Sequence, residues 1–512
     1  MIRLRITPPL DADVIIAGGG PAGASAAARL AAAGVRVLLL DRQRFPRDKV
    51  CGDFVGPAAL VELNALGVAA REGYRDTNVI REAALHLDGE ELIHRPLPEC
   101  DGLPAYGRCI PRQTLDYWVL DAARRAGAAV REGVRVTGYD VHPNGVTVAA
   151  EHGRDPLRLR ARLLIGADGS SSTVARALRG RPPRDADRII AVRAYYEGDG
   201  GPEDRADLFF TAESFPGYYW LFPTGGGHAN VGLGMVLETM PRGDDHLREL
   251  MLRLVASDAA LNRRLTKGRL LGKVVGWPLT TYDPSLPIVG DRALLVGDAA
   301  GFINPLNGEG IQYALVSGRW AADTAVDALA ADDWSEARLA PYAERARREL
   351  RYDMALAGLV VQFIRNRHLN DVWLAALRVI LARARADDAY AEITGGILAG
   401  LVPARDALSL TVLGRTLDQA IYSAGLGLAW NALKGPRHLA RQGLAAAKAG
   451  AVLADRLRRD PDGFIDWAAG LAQHGGELAA QFSAHVGRQE PSAAFAAPPA
   501  LDAPVRLRIP PA

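Results

Sequence analysis

Apolar and polar positions follow two regimes along this chain, with the change near residue 331. Before it, apolar residues come in short runs closed by glycine or small polar residues. After it, Ala, Leu and Arg recur at helical spacing with few strand signals. The most legible stretch is 12–42. Ala12–Ala17 predicts a buried strand, a glycine cluster follows, and Ala22–Ala33 predicts a helix of small residues. Gly34 ends that helix, and Val35–Leu40 predicts a second strand closed by Asp41 and Arg42. Strand, glycine turn, helix and strand in about thirty residues make a βαβ unit on a parallel sheet.

Two later runs predict further strands of that sheet. Arg162–Ile165 leads into Gly166-Ala167-Asp168-Gly169, and Ala293–Val296 leads into Gly297-Asp298-Ala299-Ala300. Between them, Ala191–Tyr196, Tyr218–Phe222 and Ala229–Met235 predict an antiparallel sheet inserted into the first domain. Pro491–Ala512, rich in Pro and Ala, reads as a loosely attached tail, and no internal repeat stands out.

Composition narrows the classes. At 512 residues, with 49% hydrophobic and 23% charged, the chain is globular and long enough for two or more packed units. A net charge of +2 argues against a nucleic-acid binder. Cys51, Cys100 and Cys109 make neither a disulfide framework nor a CxxC zinc site, so a reducing, cytoplasmic compartment is expected. The ten histidines lack metal-site spacing, and no metal is expected. Nor is a signal peptide or spanning helix: Met354–Ile364 is too short, and Ala420–Leu433 is interrupted by Ser423, glycines and Asn431. Leu426–Leu457 mixes Ala/Leu faces with Arg and Lys and is the candidate for peripheral membrane contact.

Gly18-Gly19-Gly20-Pro21-Ala22-Gly23 fits GxGxxG. Gly18 allows the tight turn, Gly20 lets a pyrophosphate approach the backbone, and Gly23 lets helix and strand pack closely, with Ala22 on the helix that offers its free N–H groups. Asp41 lies eighteen residues after Gly23, where a carboxylate accepts ribose hydroxyls, and Arg42 follows it. This pattern alone does not separate NAD from FAD. Leu164–Ser172, with Asp168 and Gly169, and Leu295–Gly301, with Asp298, resemble the second and third fingerprints of FAD-dependent aromatic hydroxylases. Arg112 matches the arginine those proteins carry on the preceding helix, and Val136 joins the cofactor-binding candidates. Past Asp298, the loop through Gly308 and Gly310 opens a helix at Ile311. It would place N–H groups at the flavin's pyrimidine edge and stabilise the reduced state.

Two further segments narrow the resemblance. Phe45–Asp53, with Lys49-Val50-Cys51-Gly52, and Pro216–Pro223, with Tyr219-Trp220-Leu221-Phe222-Pro223, are similar to signatures of the geranylgeranyl reductase family. Val231-Gly232 and Ile393–Leu398 extend the similarity, which runs from about residue 10 to 405. The resemblance implies a Rossmann-type FAD-binding domain with an inserted antiparallel substrate sheet, p-hydroxybenzoate hydroxylase-like, and a C-terminal helical region. On that basis the FAD-binding domain is expected over 10–75, 101–185 and 275–330, and the substrate domain over 76–100 and 186–274. The helical region is expected over 331–485 and a flexible tail over 486–512.

The same resemblance puts Cys51 beside the isoalloxazine and makes Cys51, Tyr219 and Trp220 the catalytic candidates, with the aromatic motif walling a polyprenyl tunnel. The expected reaction is reduction of C=C bonds in a hydrophobic, isoprenoid substrate. NAD(P)H or another donor supplies the electrons, and Cys51 or water the proton. The alternatives are an FAD-dependent monooxygenase acting on a lipophilic natural product, a halogenase, and a flavin-loaded module without catalysis. Halogenases carry Gly-Glu-Ser where this chain has Cys51-Gly52-Asp53, and Lys49 belongs to the reductase-like segment.

Overall fold

The computed structural model describes residues 9–100, 102–240, 246–398, 410–433, 444, 448, 451–452, 454–485 and 498–501. Most of the expected 486–512 tail and the middle of Leu426–Leu457 lie outside the described residues.

A six-stranded sheet forms the floor of the first domain. Its order is Val289–Gly290, Ala293–Leu295, Leu163–Gly166, Val14–Ala17, Val37–Asp41 and Ala129–Glu132. All pairings are parallel except the hairpin Val289–Gly290 with Ala293–Leu295. Val14–Ala17, Val37–Asp41 and Leu163–Gly166 are buried at every position, as a parallel sheet covered on both faces requires. The helices Pro21–Ala32, Arg112–Arg125 and Ile311–Ala331 pack together against it, and an antiparallel meander spans Val134–Ala161. Small residues make the helix contact close: a Cβ at Gly318 would lie 2.3 Å from the carbonyl oxygen of Ala22.

A seven-stranded sheet stands beside this domain. Its order is Arg269–Thr280, Arg188–Glu197, His228–Val236, Tyr218–Gly225, Arg205–Phe210, Glu82–Leu87 and Glu90–Pro96. The pairing of Arg205–Phe210 with Glu82–Leu87 is parallel, and the others are antiparallel. One face is sealed by the helix His246–Ser257, whose Leu247, Leu250, Met251 and Leu254 share a core with Phe209, Tyr219, Leu221, Val231 and Leu233. The other face turns its aromatic side chains toward the Cys51 loop.

Beyond residue 331 come the helices Glu336–Ile364, Asn370–Ala386, Asp388–Leu398, Leu410–Leu433 and Pro461–His485. Leu374 and Leu381 dock on Leu87, Leu92 and Phe215, which ties the helical region to the far edge of the second sheet. Among the described residues no helix is long and apolar enough to cross a membrane.

Candidate active site

The glycine turn is dictated by backbone approach. Gly18 has φ of +107°, and a Cβ on it would sit 2.2 Å from the carbonyl oxygen of Ala167. A Cβ on Gly23 would sit 2.0 Å from the Gly18 oxygen. Asp41 closes the turn: its Oδ2 accepts from the Gly19 N–H and its Oδ1 from the Gln43 N–H, both at 2.7 Å. The helix Pro21–Ala32 starts at Gly20 with no side-chain cap, so its first N–H groups stay available to an anion. Arg47 lies at the mouth of the turn, 3.7 Å from the Cβ position of Gly20, and pairs with Asp116 at 2.8 Å. Arg42 leans away over Trp277, at 5.8 Å from the ring centroid. Val136 is buried on the strand Val134–His142, opposite Ala150.

The two later aspartates behave differently. Asp168 holds the first turn of the helix Thr173–Arg179, whose N-cap is Ser172: Oδ2 accepts from the N–H groups of Thr173 at 2.7 Å and Val174 at 3.3 Å, and Oδ1 from the Ser172 hydroxyl. Gly169, with φ of +79°, completes that turn. Asp298 instead pairs with Lys49 at 2.9 Å, across 249 residues of sequence. Burial raises its pKa, but Lys49 above all, then Arg112 and Ser170, more than offset this and hold it below the usual range. The loop after Asp298 returns to it. Gly308 turns with φ of +70°, a Cβ on Gly310 would lie 3.5 Å from Asp298 Oδ1, and Ile311 begins the helix.

Cys51 lies beside the buried Arg112. Arg112 donates to both oxygens of Asp116, at 2.7 and 2.8 Å. Burial pushes the Asp116 carboxyl up, and Arg112 with Arg47 pulls it net downward. Gly52 is pressed on the aromatic strand: a Cβ there would meet Phe222 at 2.9 Å and Trp220 Nε1 at 3.3 Å. The next residue, Asp53, is fully buried with φ of +62°. It accepts from Tyr195 at 2.6 Å, Asn230 at 2.8 Å and the Arg112 N–H at 3.2 Å. Burial nevertheless lifts its pKa to about 6. Asn230 binds Asp53, the Cys51 carbonyl and Trp220 Nε1 together, so one side chain links loop and sheet.

Strand alternation splits the aromatic motif. Tyr218, Trp220 and Phe222 face the Cys51 loop with consecutive centroids 6.1 Å apart, and Gly232 leaves room for the indole, since a Cβ there would lie 2.1 Å from Trp220. Tyr219, expected among the catalytic residues, points to the opposite face. There it stacks on Phe209 at 5.1 Å and donates to Asp258 Oδ2 at 2.6 Å. A side-chain period of two makes neighbours in a strand face opposite ways, so Tyr219 belongs to the core under the helix His246–Ser257. Tyr218, which donates to the Asn307 carbonyl, lies on the face toward the Cys51 loop.

Sequence reasoning passed over Asp53, Asp116, Tyr218, Asn230 and Glu309. Glu309 was legible as part of the Gly308–Gly310 loop, but nothing in the sequence marks its surroundings. Its Oε2 is shielded from solvent and has no hydrogen-bond partner, and burial lifts its pKa to about 8.

A glycine turn at a helix start, an acid closing it, and a second anchored turn at Asp298 define a dinucleotide cradle facing an aromatic wall. The cradle fits FAD, since side chains at Gly18 and Gly23 would fill the approach and uncapped N–H groups with Arg47 face it. The FAD binding domain family matches residues 11–190. The menaquinone reductase of Mycolicibacterium smegmatis is 35% identical over 325 residues, covering 61% of this chain and 76% of that protein. Digeranylgeranylglycerophospholipid reductase 1 of Methanopyrus kandleri is 31% identical over 379 residues, covering 71% and 93%. A geranylgeranyl bacteriochlorophyll reductase-like protein of Thermoplasma acidophilum shares the fold, with a TM-score of 0.58, 24% identity and coverage of 80% and 96%. The protein is an FAD-dependent oxidoreductase. Within that class, the chain belongs to the geranylgeranyl reductase family.

Proposed function

We propose that this flavoprotein reduces C=C bonds of a hydrophobic substrate carrying an isoprenoid chain. The observation that carries the reading is the face formed by Tyr218, Trp220 and Phe222, an apolar wall laid directly on the Cys51-Gly52 segment. Relatives named for menaquinone and digeranylgeranyl lipids support the same substrate class. Bound FAD supplies a hydride acceptor and donor, loaded from NAD(P)H or another electron carrier.

In this reading Gly18, Gly20, Ala22 and Gly23 hold the pyrophosphate on the helix N-terminus, and Asp41 holds ribose. Asp298, set by Lys49, orients the ribityl chain, while the N–H groups at Gly308, Gly310 and Ile311 face the pyrimidine edge. Arg112 fixes Cys51, and Trp220 positions the chain. Leu413, Leu417 and Ile421, exposed at i,i+4 spacing, support peripheral contact with the membrane that holds such a lipid.

The test is spectroscopic. Reduced holoprotein under argon, mixed with a polyprenyl lipid that carries no quinone, is expected to regain the oxidised flavin spectrum and to return the lipid two hydrogens heavier for each bond reduced. A spectrum that stays reduced until air is admitted would replace this reading with the monooxygenase.

A further inference from the structure

Glu309 sits at the head of the helix Ile311–Ala331, in a loop fixed by its own backbone. Asn304 N–H donates to the Glu309 carbonyl, Gly308 N–H to the Asn304 carbonyl, and Glu309 N–H to Asn307 Oδ1, each at 2.9 Å. The side chain is therefore presented from a rigid base. Its carboxyl lies against Gly56, with Oε1 3.1 Å from where a Cβ on that glycine would be, and Oε2 is solvent-shielded with no partner. Glu309 as a residue is half-buried, but a carboxylate oxygen shut from solvent without a partner is costly, and a carboxylic acid is much less so.

The facing groups do not relieve that cost. Tyr218 from the aromatic strand and Tyr313 from the same helix are phenols, each pushed up first by burial and then by the Glu309 charge. Lys49 is engaged by Asp298 and Arg112 by Asp116. Among the described residues no cation offsets the Glu309 charge. The helix N-terminus favours the anion by up to about 2 kcal/mol, or about 1.5 pH units, which is less than the rise to about 8, so burial prevails.

We propose that Glu309 is the proton donor of this site, giving its carboxyl proton to the substrate carbon adjacent to the one that takes the hydride. The proposal rests on the reductase reading above. In the step the C=C π bond breaks. One C–H bond forms with the hydride and its electron pair from reduced flavin, and the other with the proton from Glu309. The flavin is oxidised by two electrons, the alkene is reduced by two, and the carboxylate regains its proton from water.

The experiment uses FAD-loaded protein and two variants, Glu309→Gln and Glu309→Asp, with flavin occupancy confirmed first. Wild-type reoxidation of reduced flavin by a polyprenyl lipid that carries no quinone, under argon, is expected to slow tenfold per pH unit above about pH 8. Glu309→Gln should be slower by about 100-fold or more and lose that pH dependence, with partial rescue in Glu309→Asp. Infrared spectra of the oxidised protein should show a protonated carboxyl that titrates near pH 8 and is missing in Glu309→Gln. An active wild type matched in rate and pH profile by Glu309→Gln overturns the proposal and leaves the reductase reading standing. So does a wild type lacking the titrating band. A wild type that leaves flavin reduced ends the reductase reading, and the proposal with it.

Discussion

In the glycine turn the tightest contacts run backbone against backbone, whereas along Tyr218–Phe222 every contact to the site is made by a side chain. The difference sets what each region tolerates. At Gly18 and Gly23 an added methyl would fall within 2.2 Å of a carbonyl oxygen, and no rotamer relieves that. Along the aromatic strand, successive residues serve different purposes. Trp220 faces the Cys51 loop and Asn230, while Tyr219 is stacked in the core behind the sheet. One region offers no graded substitution, and the other separates activity from stability by the parity of the residue number.

The comparison is broken most severely at Gly23. Gly23→Val should cost more than about 4 kcal/mol, leaving little soluble, flavin-loaded protein, as flavin absorbance per polypeptide would report. A variant with full flavin content would remove the close-approach argument. Next comes Tyr219→Ala, expected to cost about 3–5 kcal/mol in urea unfolding, as other aromatic truncations in cores do. Tyr219→Phe keeps the stack on Phe209 and should cost about 1–3 kcal/mol, with turnover per folded molecule unchanged. Selective loss of turnover in Tyr219→Phe would return that residue to the site.

The buried loop between the two regions has its own pH signature. The Asp53 carboxyl binds its proton more tightly in the native protein, at about 6, than its ordinary value of 3.8. Native stability at this position therefore falls as pH rises from about 4 through about 6, by up to about 3 kcal/mol. Asp53→Asn removes that loss. The stability difference between variant and wild type should grow in the variant's favour from pH 4 to pH 7 in urea titrations, and a pH-independent difference would contradict it. The smallest effect is expected from Trp220→Phe, which keeps an aromatic ring and loses the hydrogen bond to Asn230 Oδ1. Its kcat/KM on a long-chain substrate should drop about tenfold, or about 1.4 kcal/mol, with the flavin spectrum unchanged.

The fold class was legible because its marks are local. The runs at 12–42, 162–169 and 293–300 each show an apolar strand ending in small residues, and the parallel sheet joins those strands. The placement of Gly18, Gly23 and Asp41 follows from spacing within one βαβ unit. Other features depend on partners far along the chain. Asp53 is held by residues 142 and 177 positions away, and Asp298 by one 249 positions away. A carboxyl in sequence does not show whether a guanidinium will meet it, as at Asp116, or none, as at Glu309. The aromatic motif was visible, but the face that Tyr219 takes was not, because both faces of that strand carry large apolar or aromatic side chains and hydrophobicity does not tell them apart.

On the proposed reading, this flavoprotein adds hydrogen across a substrate double bond at the Tyr218–Phe222 wall. The most direct measurement is one turnover in D2O under argon, with photoreduced holoprotein and one equivalent of a polyprenyl lipid that carries no quinone, followed by mass spectrometry of the extracted lipid. The account predicts a product carrying two deuterium atoms on adjacent carbons for each bond reduced. Unlabelled substrate recovered under argon, with a product one oxygen heavier formed once air is admitted, would contradict it.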